Sequence, residues 1–153
     1  MLRPTTKMPV KPKHASASHR LFPEEKLSDF WMKTQAQVVR GKAVPLKPFV
    51  LAHWATRFSP VEIDMLVIPK RTLARRKARR ETLTQEETDK ALRLARISAE
   101  ADRVFGGPEK SARWLRKSNS ALAGRTPLEL LRSETGALAV DELLGRIDHG
   151  MFV

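Results

Sequence analysis

Apolar side chains recur along most of this chain at the three- to four-residue spacing of an amphipathic helix, and no stretch sustains the period-two alternation of a half-buried strand. Asn-Gly and Asp-Gly hairpin turns are absent as well. From Glu24 to Arg40 the residues Leu27, Phe30, Trp31 and Val38 fit one helix, with Gly41 placed to end it. Residues 45–58, "PLKPFVLAHWATRF", put Leu46, Val50 and Trp54 at i, i+4 and i+8, which predicts a second helix. Three later starts share one signature. Ser59-Pro60-Val61-Glu62, Thr84-Gln85-Glu86-Glu87 and Thr126-Pro127-Leu128-Glu129 each read as a capping box, in which a hydroxyl accepts from an orphan amide and the Glu returns the bond. Each leads into an apolar pattern, and further helices are expected over 108–116 and 137–147. The pattern predicts an all-α protein.

Two of these segments stand close together. "SPVEIDMLVI" is a helix of about two turns, and "PKRTLARRKARR", residues 69–80, starts another straight after it. Two short helices joined by a tight turn form a helix-turn-helix, whose second helix enters the major groove of DNA. Ile63, Leu66, Ile68 and Leu73 can meet inside the corner. The second helix then carries Arg71, Arg75 and Arg79 in one row and Thr72, Arg76 and Arg80 in the next. Lys70, Arg71, Thr72 and Arg75 would lie nearest base edges, with Arg76, Arg79 and Arg80 nearer phosphates.

Charge sharpens this picture. The chain of 153 residues has a net charge of +12. Residues 1–80 hold 18 Lys and Arg against 5 Asp and Glu, a balance of +13, while residues 81–153 hold 11 against 12, a balance of −1. A polyanion-binding unit joined to a near-neutral partner-binding unit has this asymmetry. A solvated helix face would interleave Glu with its cations, yet no acid falls between Asp64 and Glu81. Residues 69–80 also lack the aromatic side chains that stack on single strands, which favours double-stranded DNA over RNA. The first 23 residues, rich in proline and cation and poor in large apolar side chains, read as a disordered basic arm that either grazes phosphates or is inert.

The second half carries the most specific string, "NSALAGRTPLELLRSETGALAVDELLGRIDHGMF" at 119–152, preceded by "RVFGGPEKSARWLR". It resembles the C-terminal toxin-binding domain, also called MbcA/ParS-like, of the Xre antitoxins of RES-Xre toxin-antitoxin pairs. "IPKRTLARRK" followed by "LTQEETDK" is similar to the junction with that family's helix-turn-helix. One departure is Val67, a β-branched residue where the family often has a turn glycine. With the arm at 1–23 set apart by its composition, the resemblance implies a DNA-binding and dimerising domain at 24–82 and a toxin-binding domain at 83–153. It implies a cytoplasmic antitoxin that blocks a RES-domain toxin, an enzyme that degrades NAD, and represses its own operon as a homodimer on operator DNA. It also implies that the C-terminal tail inhibits, with Arg125, Arg146, His149, Gly150, Met151, Phe152 and Val153 as toxin-binding candidates.

The residues themselves leave alternatives open. Phe152 either packs on its own domain or fills a groove on a partner, and Arg125 either caps a local helix end or reaches an acidic partner group. An alternative whole-chain reading is a stand-alone regulator whose C-terminal domain only oligomerises, and a third is a nucleoid protein that binds without sequence preference. Catalysis has no candidate constellation. The four histidines lack helical metal-site spacing, cysteine is absent, and "FGGP" is no phosphate loop, so neither an enzyme nor a metal or other cofactor is expected.

Overall fold

The structure, a computed structural model, describes residues 27–40 and 45–151. Among them every regular element is helical: α1 (Leu27–Val39), α2 (Val50–His53), α3 (Pro60–Leu66), α4 (Lys70–Arg79), α5 (Gln85–Phe105), α6 (Pro108–Arg116), α7 (Pro127–Leu130) and α8 (Glu134–Asp148). Short 3-10 turns occupy Trp54–Thr56 and Ser120–Leu122. The basic arm, the start of the helix expected from Glu24, and Gly41 lie outside the described residues.

All three expected capping boxes are present, with Ser59, Thr84 and Thr126 each accepting from the third helical amide and Glu62, Glu87 and Glu129 each returning the bond. These contacts are local, so the sequence alone specifies them. The helix expected over 45–58 is much shorter. The Leu83 amide donates to the Leu46 carbonyl at 2.8 Å, which ties residue 46 outside any helix to a distant segment, and Pro48 opens a turn before α2 begins. Conversely α8 starts at Glu134, three residues earlier than the expected Ala137, because the Ser133 hydroxyl accepts from the Gly136 amide.

At the centre lies α5. Ala91, Leu94, Ala95, Ile97, Ser98 and Ala101 are buried along it, and the small size of the alanines and Ser98 lets α1, α6 and α8 approach closely. Around this axis Trp54, Phe58, Ile63, Leu66 and Ile68 from the first half join Leu115, Leu128, Leu131, Val140 and Leu144 from the second in one continuous core. The two units expected to meet near residue 82 therefore share a hydrophobic interior. Along the outer edge, Arg93 with Glu134 at 2.7 Å, Arg96 with Asp141 at 2.7 Å and Arg103 with Asp148 at 2.8 Å form a ladder between α5 and α8.

Candidate DNA and partner interfaces

The corner between α3 and α4 is built from apolar and backbone contacts. Ile63, Leu66, Val67 and Ile68 are buried, and the Val67 and Ile68 amides both donate to the Ile63 carbonyl, at 3.0 and 3.1 Å. Val67 sits at φ −124°, ψ −62°, so the turn closes without the left-handed residue that glycine would supply. Its isopropyl group, 3% exposed, adds to the core instead. Pro69 brings no side-chain cap to α4, and the role falls to Asp64 of α3, whose carboxylate accepts the Lys70 amide at 2.5 Å.

No residue of α4 is buried, and Leu73 packs against the core from its inner side. Lys70, Arg71, Arg75 and Arg79 are exposed, and Arg71, Thr72 and Arg75 line a shallow open depression. Arg76 departs from the expectation that it faces DNA. Its guanidinium, with the side chain 13% exposed, turns back to Glu87 at 2.8 Å and Glu81 at 3.2 Å and donates to the Thr82 carbonyl. Glu87 already caps α5, so one carboxylate fixes both the helix start and α4. Arg80 also leaves the expected row, because it ends α4 in the left-handed region at φ 56°. Arg79 stands 3.8 Å from Glu81 with its side chain largely open.

At the opposite end of the chain, α8 stops in a left-handed turn. Gly150 has φ +68°, its amide donates to the Ile147 carbonyl at 3.0 Å, and the Met151 amide donates to that of Arg146 at 2.9 Å. This gathers Arg146, His149, Gly150 and Met151 at one helix end, with Arg146 half-buried and Met151 54% exposed. Phe152 and Val153 lie outside the described residues. Arg125 belongs to another element, the turn before α7, where its side chain is exposed and its amide and carbonyl bond Leu122 and Asn119. Thr126 caps α7 and Pro127 is buried at its first position.

Sequence reading missed a clamp between the two halves. The Arg57 guanidinium, its side chain 10% exposed, donates to Asp102 at 2.6 Å and to the Ser111 hydroxyl at 3.0 Å, and Ser111 also bonds Asp102. Nearby, Arg116 grips both oxygens of Glu62 at 2.7 and 2.9 Å and donates to the Arg57 carbonyl at 2.8 Å. Burial opposes charge on Glu62, but the Arg116 and Ser59 hydrogen bonds outweigh it and hold the carboxyl below its ordinary range. Partners 45 to 59 residues apart leave no local signature.

Among the described residues no cluster of His, Asp and Glu could hold a metal ion, and no helix is long and apolar enough to cross a membrane. Residues 39–96 match the antitoxin Xre-like helix-turn-helix domain, and residues 100–150 match the antitoxin Xre/MbcA/ParS C-terminal toxin-binding domain. An antitoxin Xre of Pseudomonas putida is 41% identical over 92 residues, covering 60% of this chain and 57% of that protein, so the chain spans little more than half of that relative. An antitoxin Xre of Photorhabdus laumondii is 30% identical over 102 residues, covering 66% and 69%. A Prs ADP-ribosylating antitoxin of a Sphingobium species is 30% identical over 119 residues, covering 72% and 74%. The chain belongs to the Xre family of antitoxins, with the helix-turn-helix region preceding the Xre/MbcA/ParS toxin-binding domain.

Proposed function

We propose that the chain silences a RES-domain toxin that consumes NAD and represses its own operon by binding DNA as a homodimer. The observation that carries the DNA half is the contrast between α4 and α5. Arginines on α5 are engaged by carboxylates, whereas Lys70, Arg71 and Arg75 are exposed on a helix held at both ends, by Asp64 and by Arg76. Clustered exposed cations repel one another, and a polyanion relieves that repulsion. Arg71 and Arg75, beside Thr72, are assigned to base edges, and Arg79 to phosphate. Arg76 is not retained among the DNA contacts, and Arg80 is kept only as a phosphate contact beyond the helix end.

The toxin half rests on family membership and on the chain's C-terminal end. Gly150 turns the backbone away from α8 and leaves the Met151 side chain open, an apolar contact suited to a partner's cleft. The Sphingobium relative is named for an ADP-ribosylation. NAD is the common donor in such chemistry, which is consistent with a partner acting on that dinucleotide.

Titration of a duplex from upstream of this gene, alongside a random duplex, tests the DNA assignment. Arg71→Gln and Arg75→Gln should each weaken specific binding by about 1 to 3 kcal/mol, while Arg79→Gln should lower both affinities alike and flatten their salt dependence. Equal loss on both duplexes for all three variants would remove α4 from the recognition role.

A further inference from the structure

The near-neutral balance of the second half conceals a cationic segment. Residues 108–132 hold six Lys and Arg against two Asp and Glu, a balance of +4, whereas residues 81–107 and 133–153 carry −2 and −3. Of the two acids, Glu129 is committed to the α7 cap, where the Thr126 hydrogen bonds hold its carboxyl below the ordinary range, and Glu109 is exposed in the first turn of α6. On α6, Ser111 and Leu115 define the buried face. With about 100° between successive residues, Arg113 points directly away from it, and Lys117 and Lys110 fall within about 60° of Arg113. All three are exposed.

The position of this row follows from the clamp. Arg57 holds Ser111, and Arg116 holds Glu62 in the first turn of α3, so the C-terminal turn of α6 is fixed beside the start of the first helix of the helix-turn-helix. In that motif the first helix crosses the DNA backbone while the second reads the groove. Arg113 is only about 60° round α6 from Arg116. We infer that Lys110, Arg113 and Lys117 form a second phosphate-binding row, through which the toxin-binding domain itself grips the DNA flanking the site read by α4. The inference rests on the DNA-binding reading of α4. An acidic protein partner fits less well, because Trp114, the aromatic residue of α6, packs at a tilt against Phe105 with ring centroids 5.1 Å apart and leaves the row without an apolar anchor.

The test measures DNA affinity of the full chain across a range of salt concentrations, on upstream and random duplexes, for the Lys110→Gln/Arg113→Gln/Lys117→Gln variant. Each lost phosphate contact should make the slope of log affinity against log salt shallower by about 0.9 on both duplexes. The single variant Arg113→Gln should remove one such step, and Arg113→Lys should restore it, so a folding defect in the triple variant leaves the inference testable. Unchanged slopes overturn it. Unchanged slopes together with weaker toxin binding assign the row to the protein partner instead. If Arg71→Gln/Arg75→Gln weakens specific binding while the α6 variants do nothing, this inference alone falls. If the α4 variant has no effect either, the reading of α4 falls with it.

Discussion

Arg75 and Arg76 are adjacent in sequence and about 100° apart on α4, and that rotation gives them opposite tasks. Arg75 faces the open depression, whereas Arg76 returns to Glu87 and Glu81. Arg76→Gln should therefore lower unfolding free energy in urea by about 1 to 3 kcal/mol through two stranded carboxylates. Arg75→Gln should stay within about 0.5 kcal/mol of the parent while losing DNA affinity. Equal stabilities would contradict the inward placement of Arg76. Glu62 makes a pH-dependent case. Its folded pKa is depressed, as are those of Glu129 and Asp148, so their contribution is complete above the ordinary values, 4.5 for the glutamates and 3.8 for the aspartate, and is lost as pH falls through the lower folded values. Melting temperature should hold steady from neutral pH down to about 5 and fall below that. Glu62→Gln should reduce stability at neutral pH by about 1 kcal/mol and blunt the acid-side fall. An unaltered acid limb in that variant would show that the Arg116 grip contributes nothing.

At the level of elements, α7 and α8 approach closely at Gly136. A Cβ placed on Gly136 would lie 2.1 Å from the Leu130 carbonyl oxygen, a backbone atom that cannot swing aside. Gly136→Ala should destabilise the fold by about 3 kcal/mol, read from denaturant midpoints. A loss under about 0.5 kcal/mol, the range of ordinary surface changes, would mean that the two helices separate freely. What the sequence disclosed at this scale was whatever partners within three or four residues: Ser59, Thr84 and Thr126 declare their helices because the answering Glu lies three positions on. Ser133 has Gly136 at that position and no Glu to return the bond, so the true start of α8 went unread. Leu46 was misread as helical because its partner is Leu83, and periodicity holds no trace of a bond across that interval. Arg76 shows the same limit within the candidate site, since a row of arginines gives no sign of which one has carboxylates within reach.

For the molecule as a whole, a shared core and the Arg57 and Arg116 clamp join the helix-turn-helix and toxin-binding domains. Leu94, Ile97 and Leu115 belong to the same buried cluster as Phe58 and Ile68, so calorimetry should record a single unfolding transition, and two resolved transitions would contradict the shared interior. Arg57→Met, which strands Asp102 beside Ser111, should lower that one transition without splitting it. The charge asymmetry between halves was visible from composition, but the cationic segment at 108–132 was not, because acids on either side cancel it in any coarse count.

We propose that inhibition and DNA reading occupy separate sites on one shared core, the turn after α8 and the exposed face of α4. This is tested most directly by following NAD consumption by a RES-domain toxin encoded beside this gene, in the presence of the full chain, the Arg71→Gln/Arg75→Gln variant, or the chain ended at His149. The full chain and the α4 variant should both stop NAD loss, while the shortened chain should bind DNA normally and let it proceed. Protection by the shortened chain equal to that of the full one would contradict the account.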